Sequence, residues 1–408
     1  MNLSSRARRL LASPPLPEYF REHAARQEAA FDPQTRPGGY IPFCVAENAL
    51  VFDLLKPRMD RARDVARSWL GYQSMIGAPD FRASLADFMS SAFLGRRVGA
   101  EQLAVLSGAG SVLELLFHAL ADEGEGVLVP TPSYAGFWAD LETRDGLRIV
   151  PVHTSSADGF RLTRDRLERA LAEAPCRIRA LLFTTPNNPL GTVSSRAEIE
   201  EIVAFGREHS LHIVFDEIYA LSVFGERPFT SVASVADLAD DIHIVWAFSK
   251  DFAMSGLRCG VLVSGNADLL RAMDGLAYWA AVSGDTQFML RELVEDKAWA
   301  ASYLSGMRAR LRESRDAVAS VLEAAEIPCL PSEAGFFFLC DLRAFLETPS
   351  AEAERALWWR LLDQANVNLT PGAACRIAEP GFMRLCFAGV SLEAAVEGAR
   401  RLVRVLRN

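Results

Sequence analysis

The sequence has little lysine, no excess of positive charge and no long apolar run, and the last two absences each exclude a class of protein. Three lysines occur among 408 residues, at positions 56, 250 and 297, against a large excess of arginine. The formal net charge of −9 argues against a nucleic-acid partner, which would require a basic surface. No apolar run approaches the ~18 residues of a membrane-spanning helix, so we expect no membrane partner.

Cysteine and histidine are present, but without the spacings that define metal or disulfide sites. The seven cysteines are scattered and form no C-x-x-C pair, which indicates reduced, mostly buried thiols and a cytoplasmic protein. The six histidines show no ligand spacing, so we expect no metal. The basic N-terminus, MNLSSRARRLLAS, lacks the apolar core of a secretory signal, and we interpret it as a short arm.

The order of apolar segments predicts an α/β protein with two domains. Half of the residues are hydrophobic and 23% are charged, as in an ordinary globular enzyme. Strands alternate with helices from about 104 to 265, which is typical of a mostly parallel sheet with helices on both faces. A long helical stretch over 286–325 then precedes short strands and helices, typical of a small α+β domain. The expected units are an N-terminal arm with part of the small domain (1–50), a large domain (51–285) and a small C-terminal domain (286–408).

A lysine between two apolar strands is the first candidate catalytic residue. Lys250 follows the run 242–245 and precedes the run 259–263. A partly desolvated lysine at a strand end can lose its proton near neutral pH and attack a carbonyl. Arg258, eight residues on, has the planar fork that suits a phosphate. The alternative is a surface lysine on a loop.

Two strand–turn–helix units offer further candidate positions. In the first, the small-residue turn 107–111 precedes an apolar helix, and such a turn can bind an anion through backbone N–H groups. The same turn is also common without any ligand. In the second unit, Tyr134 stands at the turn, where its ring either lies on a planar cofactor or packs as an ordinary aromatic.

Polar residues at the ends of two more strands complete the candidates. Asp216 ends the apolar run HIVF, where α/β sheets bind ligands, and it can hold a proton on a ring nitrogen. Tyr219 is close enough in sequence to share that site. Asn188, in a rigid turn, can donate a hydrogen bond to a phenolate-like oxygen. Glu47 follows the stretch IPFCVA and either caps a helix or faces a ligand.

Three motifs in this order carry a resemblance: PNNPLGT at 186–192, FDEIY at 215–219 and SKDFAMSGLR at 249–258. Together with the turn at 107–111, they resemble the fold-type I pyridoxal phosphate enzymes of the aminotransferase class I/II family. The resemblance implies pyridoxal 5'-phosphate as cofactor and a homodimer. It also implies a mostly parallel seven-stranded sheet in the large domain beside the small α+β domain.

The resemblance also implies roles for individual residues. The catalytic residues it implies are Lys250, Asp216, Tyr219 and Tyr134. The cofactor contacts it implies are Ala109, Gly110, Tyr134, Asn188, Asp216, Tyr219, Ser249, Lys250 and Arg258. In these roles Lys250 forms the Schiff base, Asp216 pairs with the pyridine nitrogen and Tyr134 stacks on the ring. Tyr219 and Asn188 contact the ring hydroxyl, and the phosphate is held by Ala109, Gly110, Ser249 and Arg258. Arg384, in FMRLCFAG, pairs with the α-carboxylate of the substrate.

Further segments, VAENALVFDLL, GYQSMIGAPDF, SEAGFFFLCDLR and EPGFMRLCFAG, resemble 1-aminocyclopropane-1-carboxylate synthases. Those enzymes act on S-adenosylmethionine and expel methylthioadenosine, and the glutamate matching Glu47 lies near the substrate sulfonium. Met75 departs from the family, which has there a tyrosine that reaches the phosphate of the neighbouring subunit. We therefore expect either the cyclopropane product or γ-substitution by an external acceptor. The alternative is an ordinary aminotransferase, since the core motifs serve both.

Overall fold

The computed structural model describes residues 3–12, 14–64 and 66–408. The predicted N-terminal arm includes residues 1, 2 and 13, which lie outside the described residues. The helices of the described residues are α1 (Ser5–Ala12), α2 (Glu18–Arg26), α3 (Phe52–Ala62), α4 (Pro79–Met89), α5 (Ala109–Leu120), α6 (Phe137–Glu142), α7 (Arg164–Ala172), α8 (Arg196–Glu208), α9 (Phe248–Asp251), α10 (Ala267–Leu276), α11 (Gly284–Glu295), α12 (Lys297–Glu323), α13 (Ala351–Arg360) and α14 (Leu392–Arg407). The strands are β1 (Ile41–Pro42), β2 (Leu103–Leu106), β3 (Gly126–Thr131), β4 (Arg148–His153), β5 (Ile178–Thr184), β6 (His212–Asp216), β7 (Ile242–Ala247), β8 (Gly260–Ser264), β9 (Phe337–Asp341), β10 (Val367–Asn368), β11 (Thr370–Pro371) and β12 (Phe382–Cys386).

The main sheet has seven strands in the order β2-β8-β7-β6-β5-β3-β4. Strands β3 to β7 pair in parallel, whereas β8 runs antiparallel to both of its neighbours, β7 and β2. Strand β7 is buried at all six positions, as expected for a strand with helices on both faces. The predicted α/β fold with a mostly parallel seven-stranded sheet is confirmed. Because β5, β6 and β7 run the same way, their carboxyl ends meet at one edge of the sheet.

The remaining strands form two small sheets, one of which pairs an N-terminal strand with a C-terminal strand. Strands β11, β12 and β9 form an antiparallel sheet, and β1 pairs in parallel with β10, with Ile41 opposite Val367. The pairing places part of the predicted N-terminal arm beside the C-terminal strands. The domain boundaries at 50 and 285 stay predictions.

The predicted helical stretch over 286–325 is divided into α11 and α12 at Asp296. This residue has φ −81° and ψ 75°, and its side chain accepts a hydrogen bond from the Trp299 N–H at 3.0 Å. An aspartate in this position stabilises a helix start, so the non-helical backbone of Asp296 ends the first helix and its side chain caps the second. Within the described ranges, no helix combines the length and the hydropathy that crossing a bilayer requires.

Candidate active site

A cavity of about 230 Å³ lies where the carboxyl ends of β5, β6 and β7 meet the N-terminus of α5. Its walls include all nine residues expected to contact the cofactor: Ala109, Gly110, Tyr134, Asn188, Asp216, Tyr219, Ser249, Lys250 and Arg258. The two expected substrate residues contact this group from outside the walls: Arg384 through Asn188, and Glu47 through Ser255. The structure thus brings the predicted residues together, while their individual roles stay predictions.

Lys250 enters the cavity from α9, the short helix that follows β7. Its Nζ donates a hydrogen bond to the backbone oxygen of Ala46 at 2.7 Å. Desolvation in the cavity lowers the pKa of Lys250 to about 8; the Glu47 carboxylate opposes this shift, and the Arg384 guanidinium adds to it. The alternative of a surface lysine on a loop does not fit this setting. A lysine with such a pKa is neutral far more often near pH 7 than an ordinary lysine, and the neutral amine is the form that acts as a nucleophile or base.

We expect the pH dependence of Lys250 acylation to reveal this shift in the cofactor-free protein. Between the folded-state pKa of about 8 and the ordinary value of 10.5, Lys250 is mainly neutral and reactive, whereas an ordinary lysine is still charged. Competitive labelling with acetic anhydride, read by peptide mass spectrometry, should give a midpoint near pH 8 for Lys250. Lys297, an exposed lysine paired with Asp87 at 2.6 Å, is the reference in the same sample. Identical labelling curves for both lysines would contradict the assignment.

A buried carboxyl fixes the short helix that carries Lys250. Asp251 accepts hydrogen bonds from Trp246 Nε1 at 2.8 Å, Ser222 Oγ at 2.6 Å and the Leu221 N–H at 3.0 Å. The first donor lies on β7, and the other two lie in the loop that follows β6. Asp251 therefore ties the lysine to the segment that begins at Asp216.

Asp216 ends β6 with its carboxyl in the cavity wall. The side chain is buried, and Oδ1 accepts a hydrogen bond from the Ile218 N–H at 3.2 Å. Burial raises the pKa of Asp216 to about 7, although the Lys250 ammonium favours the charged form. A carboxyl that shares a proton near neutral pH suits a heteroaromatic nitrogen as partner.

Tyr219, Asn188 and Arg384 form a buried chain of hydrogen bonds. The Asn188 side-chain amide donates to Tyr219 Oη at 3.5 Å, and Arg384 Nη1 donates to Asn188 Oδ1 at 2.9 Å. The other end of the guanidinium, Nη2, donates to Cys44 O at 2.7 Å and to Thr370 Oγ1 at 3.0 Å. Asn188 thus connects the residue expected at the cofactor with the residue expected at the substrate.

The Arg384 guanidinium has unused capacity for an anion. It is buried, and its Nε atom has no hydrogen-bond partner in the described part of the chain. Its ring neighbour is Phe337, with the guanidinium carbon 5.3 Å from the ring centroid. A buried cation whose contacts are all neutral carries an uncompensated desolvation cost, and a substrate carboxylate would offset that cost.

The turn before α5 forms a cradle with Arg258. Gly108 has φ +96°, and a Cβ at this position would lie 2.3 Å from Arg258 Nη2. The arginine is held by a hydrogen bond from Nη1 to the backbone oxygen of Ser255 at 3.0 Å. Glycine is favoured here because the positive φ strains any other residue, and a Cβ would also displace the Arg258 guanidinium from the turn. A helix N-terminus beside a guanidinium fits a phosphate group.

Tyr134 lies at the wall of the cavity and is 40% exposed. Its ring meets Phe137 edge-on, with centroids 5.3 Å apart, and covers Gly136, where a Cβ would lie 2.3 Å from the tyrosine ring. The ring therefore packs against the first residue of α6 and also borders the cavity. Its stacking on a cofactor stays a prediction.

Glu47 does not cap a helix. Helix α3 begins at Phe52, with Val51 in the capping position, so the carboxylate is free for another role. Its Oε1 accepts a hydrogen bond from Ser255 Oγ at 2.8 Å, and its charge favours the charged form of Lys250. Glu47 is exposed, so it offers a negative charge beside the cavity and open to solvent.

Residues 44–47, which we call the 44–47 segment, contact three parts of the site. The backbone oxygen of Cys44 accepts from Arg384, that of Ala46 accepts from Lys250, and the Glu47 carboxylate accepts from Ser255. This segment follows β1, whose pairing with β10 fixes its position.

Sequence reasoning missed several residues of the cavity wall: Leu113, Phe137, Asp140, Ile218 and Ser255. Burial raises the pKa of Asp140 to about 6; the Glu114 carboxylate adds to this effect and the Arg258 guanidinium opposes it. The signal for Asp140 was its position six residues after Tyr134, on the helix of the second strand–turn–helix unit. Met75, the residue that departs from the family, is partly buried and packs against the apolar cluster between α5 and the sheet.

Comparison with known proteins agrees with this geometry. The aminotransferase class I and II family model matches residues 43–402. The chain is 36% identical to 1-aminocyclopropane-1-carboxylate synthase 1 of Oryza sativa subsp. indica, over 94% of this chain and 85% of the relative. It is 35% identical to 1-aminocyclopropane-1-carboxylate synthase 8 of Arabidopsis thaliana, over 95% and 87%. Among solved structures, the aspartate aminotransferase from Thermus thermophilus with maleate has a TM-score of 0.84 at 25% identity, covering 99% and 100%.

The residues of the cavity fit the cofactor of this family. The Gly108 turn with Arg258 suits the phosphate, the buried Asp216 carboxyl suits the pyridine nitrogen, and the Lys250 amine suits the aldehyde. The match to the family model covers most of the chain. The chain belongs to the aminotransferase class I and II family of pyridoxal phosphate-dependent enzymes.

Proposed function

We propose that the enzyme acts on S-adenosylmethionine and cleaves the Cγ–S bond with loss of methylthioadenosine. The observation that carries the proposal is the Glu47 carboxylate beside the cavity, held by Ser255 and close enough to Lys250 to influence its charge. The curated relatives named as 1-aminocyclopropane-1-carboxylate synthases support it. The carbon fragment then closes to the cyclopropane amino acid or is captured by an external acceptor.

Pyridoxal phosphate, when bound, supplies an electron sink that makes the bonds at the substrate α-carbon easier to break. The turn at Gly108 and Arg258 would hold its phosphate, and Asp216 would hold the proton at the pyridine nitrogen. Tyr219 and Asn188 would contact its ring hydroxyl. Lys250 Nζ is then the group that takes the α-proton, since its lowered pKa matches the working range of a general base.

Two charges of opposite sign orient the substrate. Arg384 would bind the α-carboxylate, and its Nε atom, which has no hydrogen-bond partner among the described residues, offers a donor for that anion. Glu47 faces the sulfonium, and two opposite charges 4 Å apart attract by about 1 kcal/mol in water and about 4 kcal/mol at an effective dielectric of 20. Methylthioadenosine leaves as a neutral thioether and needs no proton, so the site requires no acid at the sulfur.

We expect Glu47→Gln to lower kcat/KM for S-adenosylmethionine about 10- to 100-fold, because one charge pair worth roughly 1.4–2.8 kcal/mol is lost. For methionine, which has no sulfonium charge, the pyridoxamine-forming half-reaction should change less than about twofold. Both rates are measured by stopped-flow absorbance on the same preparations. Ser255→Ala is the matched control, since it removes the hydrogen bond and keeps the carboxylate, and its loss should be smaller. Equal losses for both substrates would contradict a role at the sulfonium.

The deciding experiment is mass spectrometry of products from the cofactor-loaded enzyme with S-adenosylmethionine. Methylthioadenosine with the cyclopropane amino acid supports ring closure. Methylthioadenosine released with 2-oxobutyrate, or released only when a cell extract supplies an acceptor, supports elimination or γ-substitution. No methylthioadenosine under any condition overturns the proposal.

The second candidate function is amino transfer between an amino acid and a 2-oxo acid. It is favoured by the solved Thermus thermophilus aspartate aminotransferase, which matches the whole fold. Full conversion to the pyridoxamine form by an amino acid, reversed by a 2-oxo acid at a catalytic rate, would establish it. Slow conversion without reversal would exclude it as the main activity.

We propose that the enzyme is a homodimer whose interface lies beside the phosphate cradle. The Ser107 N–H donates to the backbone oxygen of Ala280 at 2.8 Å, so the cradle contacts a segment with large exposed apolar side chains. Tyr278 and Trp279 lie on this segment, and Leu70 and Tyr72 lie on a second segment. All four side chains are exposed. We expect light scattering to give twice the chain mass, and Trp279→Arg to shift it toward one chain mass. A monomeric wild type would contradict the proposal.

A further inference from the structure

Two cysteines outside the cavity face each other across antiparallel chains. Cys329 forms an isolated bridge with Cys340 of β9, and their sulfur atoms are 3.6 Å apart. The backbone hydrogen bonds lie on either side of the pair, from Leu330 N to Leu339 O and from Asp341 N to Pro328 O, both at 2.8 Å. The pair itself is therefore of the non-hydrogen-bonded kind, in which Cα atoms are about 4.5 Å apart. That separation lies within the range that disulfides span, about 4.4–6.8 Å.

The two thiols differ in access. Cys329 is half-buried, whereas Cys340 is buried. The contact with Cys329 and burial raise the pKa of the Cys340 thiol well above its usual value. Because the thiolate is the reactive form and must be reached by the oxidant, Cys329 is the first thiol to react and Cys340 the second.

We propose that Cys329 and Cys340 form a reversible intrachain disulfide when the enzyme meets a hydroperoxide such as hydrogen peroxide. The Cys329 thiolate attacks one peroxide oxygen, the O–O bond breaks, and the departing hydroxide takes a proton to become water. The Cys340 sulfur then attacks the Cys329 sulfenic acid, the S–O bond breaks, and a second water forms with the Cys340 proton. Two thiols lose two electrons, and one peroxide becomes two waters. A dithiol reductant reverses the bond by exchange.

The position of the pair gives the disulfide a structural effect. It would join the segment at Pro328–Leu330 to β9, which pairs with β12 so that Leu339 stands opposite Arg384. Strand β9 also carries Phe337, on which the Arg384 guanidinium lies. The two cysteines are 11 positions apart, so the bond closes a short loop. A disulfide across such a loop stabilises the folded state. We expect the midpoint of thermal unfolding of the oxidised enzyme to rise by about 2–5 °C.

Hydrogen peroxide added to the reduced holoenzyme tests the proposal. After quenching with N-ethylmaleimide, mass spectrometry should show two of the seven thiols protected, and a non-reduced digest should contain a Cys329–Cys340 cross-linked peptide. Dithiothreitol should restore both thiols. In Cys340→Ser, dimedone should trap a sulfenic acid on Cys329, and in Cys329→Ser the oxidation of Cys340 should slow at least tenfold. Cys176→Ser, which removes another half-buried thiol, should behave as the wild type.

Three results would overturn the proposal, and none of them depends on a variant that folds. One is an unchanged set of thiols at millimolar peroxide. Another is a cross-link between other cysteines in place of Cys329 and Cys340. The third is conversion of wild-type Cys329 to sulfinic acid with no cross-linked peptide, because that outcome shows that Cys340 does not reach the oxidised sulfur.

Discussion

Lys250→Ala is expected to lower kcat by about 10⁴-fold, the upper end of what a positioned general base contributes. The loss is large because Lys250 is proposed to be both the nucleophile for the cofactor aldehyde and the base at the substrate α-carbon, and the described cavity wall offers no second amine. Product release from S-adenosylmethionine is measured by mass spectrometry under single-turnover and steady-state conditions. Small primary amines added to the buffer should restore part of the rate, since they replace the missing base.

The control for this experiment is Lys297→Ala. That lysine is exposed on α12 and pairs with Asp87 at 2.6 Å, and an exposed ion pair contributes about 0–1 kcal/mol to stability. Its removal should leave kcat within about twofold of the wild type. Activity that survives in Lys250→Ala without added amine would show that another group takes the proton.

Arg384→Lys should lower kcat/KM about 30- to several-thousand-fold, which corresponds to the roughly 2–5 kcal/mol lost when one partner of a buried charge pair is removed. Lysine keeps the positive charge but cannot make two parallel hydrogen bonds to a carboxylate. It would also leave Asn188 Oδ1 and Thr370 Oγ1 without their present donor. The loss should be the same for every substrate with an α-carboxylate, in contrast to Glu47→Gln, which is expected to discriminate by side-chain charge.

Arg401→Lys is the matched control for Arg384. Arg401 is also buried and also donates to backbone oxygens, among them Gly39 O at 2.7 Å, but it pairs with Glu397 and lies on α14. Its replacement should lower the thermal midpoint and leave kcat/KM within about threefold. A loss at Arg401 equal to that at Arg384 would mean that the effect comes from a weakened fold.

The sequence predicted those parts of the fold and site that local patterns encode. Lys250 and Asp216 follow runs of apolar residues whose length and β-branching define buried strands, so their place at strand ends could be inferred. The turn at Gly108 could be predicted from its small residues, which precede an apolar helix. In each case the residue and its structural setting lie within about ten positions of each other.

The contacts that the sequence did not reveal join distant positions or depend on a single side chain. The Arg384–Asn188 hydrogen bond spans 196 positions, and no local pattern predicts such a pairing. The break at Asp296 was hidden because the residues on both sides favour a helix, and one capping side chain decides the outcome. Asp140 was missed because its one signal, a position six residues after Tyr134, does not distinguish an acid on a cavity wall from an acid on the solvent-exposed face of a short helix.

The 44–47 segment has a consequence for how this enzyme can vary. Two of its three contacts use main-chain oxygens, those of Cys44 and Ala46, so replacing either side chain cannot delete the acceptor. These contacts depend on where the backbone runs. An inserted or deleted residue would therefore displace the acceptors of both Lys250 and Arg384. Under the proposed function, residue 47 is therefore the position of this segment whose side chain meets the substrate. Efforts to redirect the enzyme toward other leaving groups should therefore vary residue 47 and keep the spacing around it.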